Sequence, residues 1–167
     1  YIVGKGYSQK SAEEAKRKAM VDVEKQISVM IKSVDTRQKK EMLHAENSWQ
    51  WENNAHFSKL RTSGKVEGIE VVREAKQPDG WHALAVLDKM EFVERTVAAI
   101  AQLENEIDLS LKNAEEWIQK NDPAAALAQL EGVREKMEQR DLLWVRLSAV
   151  DAGQAAEIKR RNIVDLE

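Results

Sequence analysis

Three histidines, His44, His56 and His82, are the side chains of this chain best suited to acid–base or metal chemistry near neutral pH. None stands in the HExxH spacing or the paired Cys/His spacing that zinc chemistry needs. The chain contains no cysteine, which excludes disulfides, thiolate catalysis, iron–sulfur clusters and cysteine zinc sites together. His56 and Glu52 fall at an i, i+4 spacing that could form an acid–base pair. No nucleophile stands near them in sequence, and a helix surface pair is the commoner source of that spacing. His82 follows Trp81 beside a turn and reads as a surface or half-buried strand histidine. Gly4-Lys5-Gly6 matches neither GxGxxG nor GxxxxGK[ST], so no phosphate cradle is encoded. Its glycines read as a strand that is flexible or closely packed. Glu13-Glu14 and Glu115-Glu116 sit among charged neighbours and read as solvated helix faces, because a carboxylate dyad needs convergent burial to separate its pKa values. The expectation is a non-enzymatic chain with no catalytic, cofactor-binding or metal-binding residues and no cofactor.

One group resists that plain reading. Trp49 and Trp51 share a face of an extended segment, His56 and Phe57 follow within a turn or two, and Asn53 and Asn54 flank them. Tryptophan is enriched at binding hot spots, so Trp49, Trp51, His56 and Phe57 form a candidate partner-binding patch. The alternative is that they cover the outer face of a sheet.

These residues need elements to position them. Tyr1 to Tyr7 predicts a short strand. Ser11-Ala12-Glu13-Glu14 fits a capping box, with the Ser11 hydroxyl on a backbone N–H and Glu14 reaching back. A helix follows with Ala12, Ala15, Ala19, Met20, Val23 and Ile27 on one stripe. Its alanines would let it lie close to a sheet. Near Gln26 the period changes, and Val29 and Ile31 alternate with Ser28, Met30 and Lys32, predicting a strand. Asp35 to Gly64 reads as a long edge strand followed by a helix from about Glu52 to Arg61. Val66 to Ala75 and Trp81 to Leu87 are strands of a hairpin around the turn Gln77-Pro78-Asp79-Gly80. The second strand is apolar on both faces and so predicted central. Asp88 then caps a helix running to about Lys120, with a seam of Val93, Val97, Ile100, Leu103, Ile107, Leu111, Ala114 and Ile118. Asp122 as N-cap and Pro123 at the first helical position start another. That helix is predicted to bury Leu127, Leu130, Val133, Met137, Trp144 and Leu147 and to end near Gly153. Two long helices with so short a join make an antiparallel hairpin. The fold class is therefore α+β: an antiparallel sheet packed against an N-terminal helix, followed by a long helical hairpin. Its parts are residues 1–88, 89–153 and a tail, 154–167.

Charge adds little about partners. The net charge is −3, apolar residues make up 43% and charged residues 33%, so no global field favours nucleic acid. Between Tyr1 and Lys40 there are ten Lys and Arg against five Asp and Glu, and from Lys89 onward eleven against sixteen. A nucleic-acid surface would need Lys16, Arg17, Lys25 and Lys32 together, and the acidic remainder argues against it. No apolar run is long enough to span a membrane. The chain starts at Tyr1 inside a strand, and Leu166-Glu167 reads as a cloning remnant, so a targeting segment is expected to have been removed.

Two stretches together resemble the LPP20 family of bacterial lipoproteins and related envelope proteins, including the N-terminal module of flagellar assembly protein T. One runs from Gly4-Lys5-Gly6 through Ser11-Ala12-Glu13-Glu14-Ala15 to Val23-Glu24-Lys25-Gln26-Ile27-Ser28-Val29. The other is Val66-Glu67-Gly68-Ile69-Glu70-Val71-Val72 followed by Trp81-His82-Ala83-Leu84-Ala85-Val86-Leu87-Asp88. The match covers roughly residues 1–90. The resemblance implies an α/β sandwich, export from the cytoplasm to the periplasm or outer membrane, and assembly with protein partners in the envelope. Membrane contact would come only through a removed N-terminal anchor, because the lipid-bearing cysteine of many members is missing here. Self-association into a homo-oligomer fits the same reading. A rival starts from Asp122-Pro123-Ala124-Ala125-Ala126-Leu127, which also looks like the turn of a tetratricopeptide repeat and would make the C-terminal half a helical adaptor.

Overall fold

A computed structural model of the chain describes residues 1–42 and 66–158, the side chains of 35–42 excepted. Contacts divide it into two units, Tyr1–Val93 and Glu94–Glu167. The first contains β1 (Ile2–Ser8), α1 (Ala12–Met42), β2 (Ile69–Gln77) and β3 (Gly80–Leu87). The sheet is antiparallel in the order β1-β3-β2, so β3 is central, as its two-sided apolar pattern predicts. The fold is α+β.

Alternation along β1 is strict, with Ile2, Gly4, Gly6 and Ser8 buried and Val3, Lys5 and Tyr7 exposed. The buried row lies under α1, whose Ala15, Ala19, Val23 and Ile27 meet Ala83, Ala85 and Leu87 of β3 in the core. Close approach explains the two strand glycines. A Cβ on Gly4 would meet the Val23 backbone nitrogen at 2.8 Å, and one on Gly6 the Ala19 nitrogen at 2.5 Å. Small residues on both surfaces let the helix lie almost on the strand backbone. Gly4-Lys5-Gly6 is thus a packing surface.

The N-terminus of α1 refines the expected capping box. Ser11 Oγ accepts the Glu14 N–H at 3.2 Å as expected. The Glu14 carboxylate instead accepts the buried Ser8 hydroxyl at 2.7 Å, while Ser8 Oγ takes the Lys10 N–H at 3.0 Å and the Ser11 N–H at 3.4 Å. The box is closed through Ser8 rather than directly. The hydrogen bond from Ser8, followed by that from Lys18, holds the Glu14 carboxyl below its ordinary value.

The strand predicted around Val29 and Ile31 is not formed; α1 continues unbroken to Met42. The stripe Ala12–Ile27 is about 24 Å of helix at about 1.5 Å per residue. The seven residues of β1 span about 23 Å at about 3.3 Å each. The apolar stripe therefore ends where the sheet beneath it ends, and the helix runs on past it, leaving Val29 64% exposed. The predicted edge strand and the helix from Glu52 to Arg61 lie outside the described residues.

The second unit is a helical hairpin. The helix α2 (Lys89–Gln119) begins within the first unit, and α3 (Pro123–Val150) and the short α4 (Ala152–Glu157) follow. Asn121 adopts a left-handed φ of 57° and ends α2 in a Schellman arrangement, with Asn121 N–H on Ile118 O and Asp122 N–H on Trp117 O, both at 3.0 Å. Asp122 then caps α3 by accepting the Ala125 N–H at 3.0 Å, with Pro123 following. The helices run antiparallel, with Ile107, Val133 and Met137 buried together and Leu111 packed on them. α3 stops at Val150 rather than near Gly153. Asp151 is extended and caps α4 through the Gln154 N–H, and Trp144 Nε1 donates to Ala155 O at 3.0 Å, folding α4 back on α3.

Three expected seam residues are exposed. Ile118 is 59% and Leu127 63% exposed, and Leu130 is exposed as well. Ala126 takes the seam position, which turns Leu127 about 100° away from it, and Ile118 lies in the last turn of α2, beside the connection to α3. The seam also holds polar residues: Thr96, Ser110, Arg140 and Ser148 are buried. Helices of 31 and 28 residues are each nearly as long as a whole repeat of about 34 residues. The tetratricopeptide reading therefore does not describe this hairpin.

Candidate interaction surface

With α1 covering β1 and β3 on one face of the sheet, the other face carries the remaining half of each strand. Its rows, read across β1, β3 and β2, are Val3–Val86–Glu70, Lys5–Leu84–Arg73 and Tyr7–His82–Ala75. Val3 and Tyr7 are exposed, and Leu84 and Val86 are half-buried. The result is a surface with an apolar centre, an aromatic end and mixed charges at its rim, the composition of a protein-contact patch.

The aromatic end is the most ordered part. Tyr7 Oη donates to the Asp79 carbonyl at 2.6 Å. His82 Nε2 lies 3.0 and 3.1 Å from the two Asp79 carboxylate oxygens. The Tyr7 and His82 rings stand 5.1 Å apart at 48°. The His82 hydrogen bond draws the Asp79 carboxyl below its ordinary value. Gly80 makes this end possible: its φ of 148° suits glycine, and a Cβ there would meet Ser8 O at 2.7 Å. An oriented imidazole is half of a general base, but the Tyr7 hydroxyl is committed to a carbonyl, so the cluster holds the turn against β1 rather than presenting a nucleophile. Among the described residues no group of three or more His, Asp or Glu could hold a metal ion.

The β2 edge of the sheet is less suited to a partner contact. β2 carries Glu70, Arg73, Glu74 and Lys76 and a bulge between Val71 and Arg73. Charge and bulges both discourage a further strand. Lys16 pairs with Glu74 on β2 at 2.6 Å and with Glu13 at 3.1 Å. Those bonds, the Glu74 one foremost, raise its pKa, and they engage one of the four cations a nucleic-acid surface would need.

Trp49, Trp51, His56 and Phe57 lie outside the described residues, as does Glu52. Sequence reasoning missed the outer sheet face, although the signal was there: Val3, Lys5 and Tyr7 alternate with the glycines. It also missed Arg140, fully buried in the hairpin, with Nε and Nη2 at 2.9 and 2.8 Å from Glu104 Oε1 and Nη1 at 3.1 Å from Asp141. Its signal is spacing, since Arg140 stands three residues after Met137 and four before Trp144, on the predicted stripe.

No family model matches the chain, and no curated protein matches it. Among solved structures it is similar to the secreted protein HP1454 from Helicobacter pylori, with 14% sequence identity and a TM-score of 0.45. The alignment covers 99% of this chain and 56% of that one, so the chain spans little more than half of that protein's length. No described helix is long and apolar enough to cross a membrane.

Proposed function

We propose that this chain is a non-catalytic interaction or assembly domain of the bacterial cell envelope, exported and lipoprotein-like, that meets protein partners through the outer face of its sheet. The observation that carries the reading is the one-sided cover of that sheet. α1 buries Ile2, Gly4, Gly6 and Ser8, while Val3, Tyr7, Leu84 and Val86 stay at least partly accessible on a scaffold fixed by backbone-level packing. A rigid face with apolar centre and polar rim loses little conformational entropy when a partner covers it. The envelope compartment is supported by the resemblance of residues 1–90 to LPP20 lipoproteins. Trp49, Trp51, His56 and Phe57 are proposed as further partner contacts.

A photo-cross-linking residue placed at Val3 or Tyr7 of the full-length protein in its own cells tests the surface and the compartment together. Adducts in the envelope fraction from Val3 and Tyr7, but not from the exposed Glu115 of the hairpin, are expected. No adduct from either sheet position would sink the surface, and adducts confined to the cytosolic fraction would sink the compartment. For the aromatic segment, light scattering compares the wild type with Trp49→Ala/Trp51→Ala. A dimer that falls to a folded monomer makes those residues an association surface; a monomer in both, with stability lost, makes them core.

A further inference from the structure

The two edges of the sheet are protected differently, and the difference points beyond the proposed outer-face contact. β2 has charge and a bulge. β1 has no bulge and less charge: its register with β3 runs without a shift from Ile2 to Ser8, it contains no proline, and Lys5 is its single charged residue. Such a strand is a template for pairing. Yet two of its outward-pointing backbone groups are occupied by side chains of α1. The Lys5 N–H donates to Asp22 Oδ2 at 3.0 Å, and Gln26 Nε2 donates to Val3 O at 2.8 Å. Asp22 and Gln26 are one helical turn apart, so both reach the same edge, and Gln26 Nε2 lies 3.5 Å from Asp22 Oδ2, which links them.

We infer that Asp22 and Gln26 are an edge guard that keeps β1 from pairing antiparallel with the β1 of a second copy. The groups they cover are complementary to each other. When Gly4 of one copy faces Gly4 of the other across a twofold axis, Lys5 stands opposite the second copy's Val3. The Lys5 N–H of each copy then meets the Val3 carbonyl of the other. Both groups that α1 covers in each copy thus find a partner in the other. No like charges oppose each other in this register, and the glycines add no bulk at the axis.

Asp22→Ala/Gln26→Ala removes the guard without touching the ladder to β3. Light scattering over a concentration series is expected to show its mass rising toward twice the wild-type value at equal concentration, with the far-ultraviolet circular dichroism of a folded chain. Adding Lys5→Pro deletes the outward N–H while leaving the β3 side intact, and the mass should return to that of the wild type. A folded double variant whose mass matches the wild type overturns the proposal. So does association that Lys5→Pro fails to reverse, because it then arises elsewhere. Should the double variant not fold, Gln26→Glu keeps the side chain's size but cannot donate to Val3 O, and the same rise and the same reversal are required of it.

Discussion

In the sheet-and-helix unit the decisive contacts are between backbones: Gly4 and Gly6 lie so near Ala15, Ala19 and Val23 that a single added carbon has no room. In the hairpin unit the decisive contacts are between side chains, and the most buried large one is charged, Arg140, gripping Glu104 across the helix pair. The first arrangement tolerates no extra volume; the second does not tolerate the loss of a partner. A surface meant to present Val3 and Tyr7 in fixed register belongs on the first kind of scaffold, where nothing can shift without separating helix from strand.

The largest effect that would break this contrast is at Gly6. Gly6→Ala should destabilise the first unit by about 3 kcal/mol or more, since the atoms in the way are backbone atoms of α1. Urea unfolding followed by hydrogen exchange should show the loss in residues 1–93 and leave protection in the hairpin intact. A stable Gly6→Ala chain would show that α1 can lift off the strand. The next effect is at the buried ion pair. Glu104→Ala should cost about 2–3 kcal/mol, less than for a fully isolated charge because Asp141 still contacts Arg140 and the Glu104 side chain is 27% exposed. Replacing both partners with leucine should lie within about 1 kcal/mol of the wild type. If the double replacement costs as much as the single one, the pair stabilises rather than merely specifies the helix register.

Acid sharpens the comparison from the other side. Glu14, Asp79 and Asp88 have carboxyls held below their ordinary values, chiefly by the Ser8 hydroxyl, His82 and the Glu91 backbone N–H respectively. A depressed folded-state pKa gives stability that is complete above the unfolded value and is lost as pH falls through the folded one. All three lie in residues 1–93, so lowering the pH below the ordinary values of 4.5 for Glu and 3.8 for Asp should loosen that unit. Ser8→Ala should shrink the effect by removing the leading cause at Glu14. Lys16 works with the opposite sign: its raised pKa contributes below 10.5 and is lost as pH rises through the folded value. Urea midpoints between about pH 5 and pH 3, with and without Ser8→Ala, measure this.

What the sequence made legible follows the same division. Local chemistry was readable: the Asp79-Gly80 turn, the Asp122-Pro123 helix start, the Ser11 cap and the central position of β3 each depend on residues within a few positions of one another. The length of α1 was not. Periodicity reports which residues are covered rather than which backbone is helical, so the pattern at Val29 and Ile31 changed where the sheet ran out while the helix continued. Ile118 and Leu127 failed for a related reason, being apolar on a helix but beyond the reach of the neighbouring one. Arg140 was hidden by its type, because a charged residue on a seam is legible only once Glu104 is seen to face it. The outer sheet face needed the strand order, which places Val3, Leu84 and Arg73 in adjoining rows although they are far apart in the chain.

The smallest effect is the most diagnostic of the contrast, because it adds the same methyl group as Gly6→Ala. Gly132 lies within α3, and a Cβ there meets nothing within 4 Å. Gly132→Ala removes backbone freedom from the unfolded chain and adds no clash, so it should stabilise the hairpin by about 0.5–1 kcal/mol. Thermal unfolding of the two single variants and their combination would then give opposite signs in the two units. Their effects should add, since the sites share no partner. A stabilised hairpin that also raised the protection of residues 1–93 would mean that the units unfold as one, and the division between a volume-limited and a partner-limited scaffold would have to be given up.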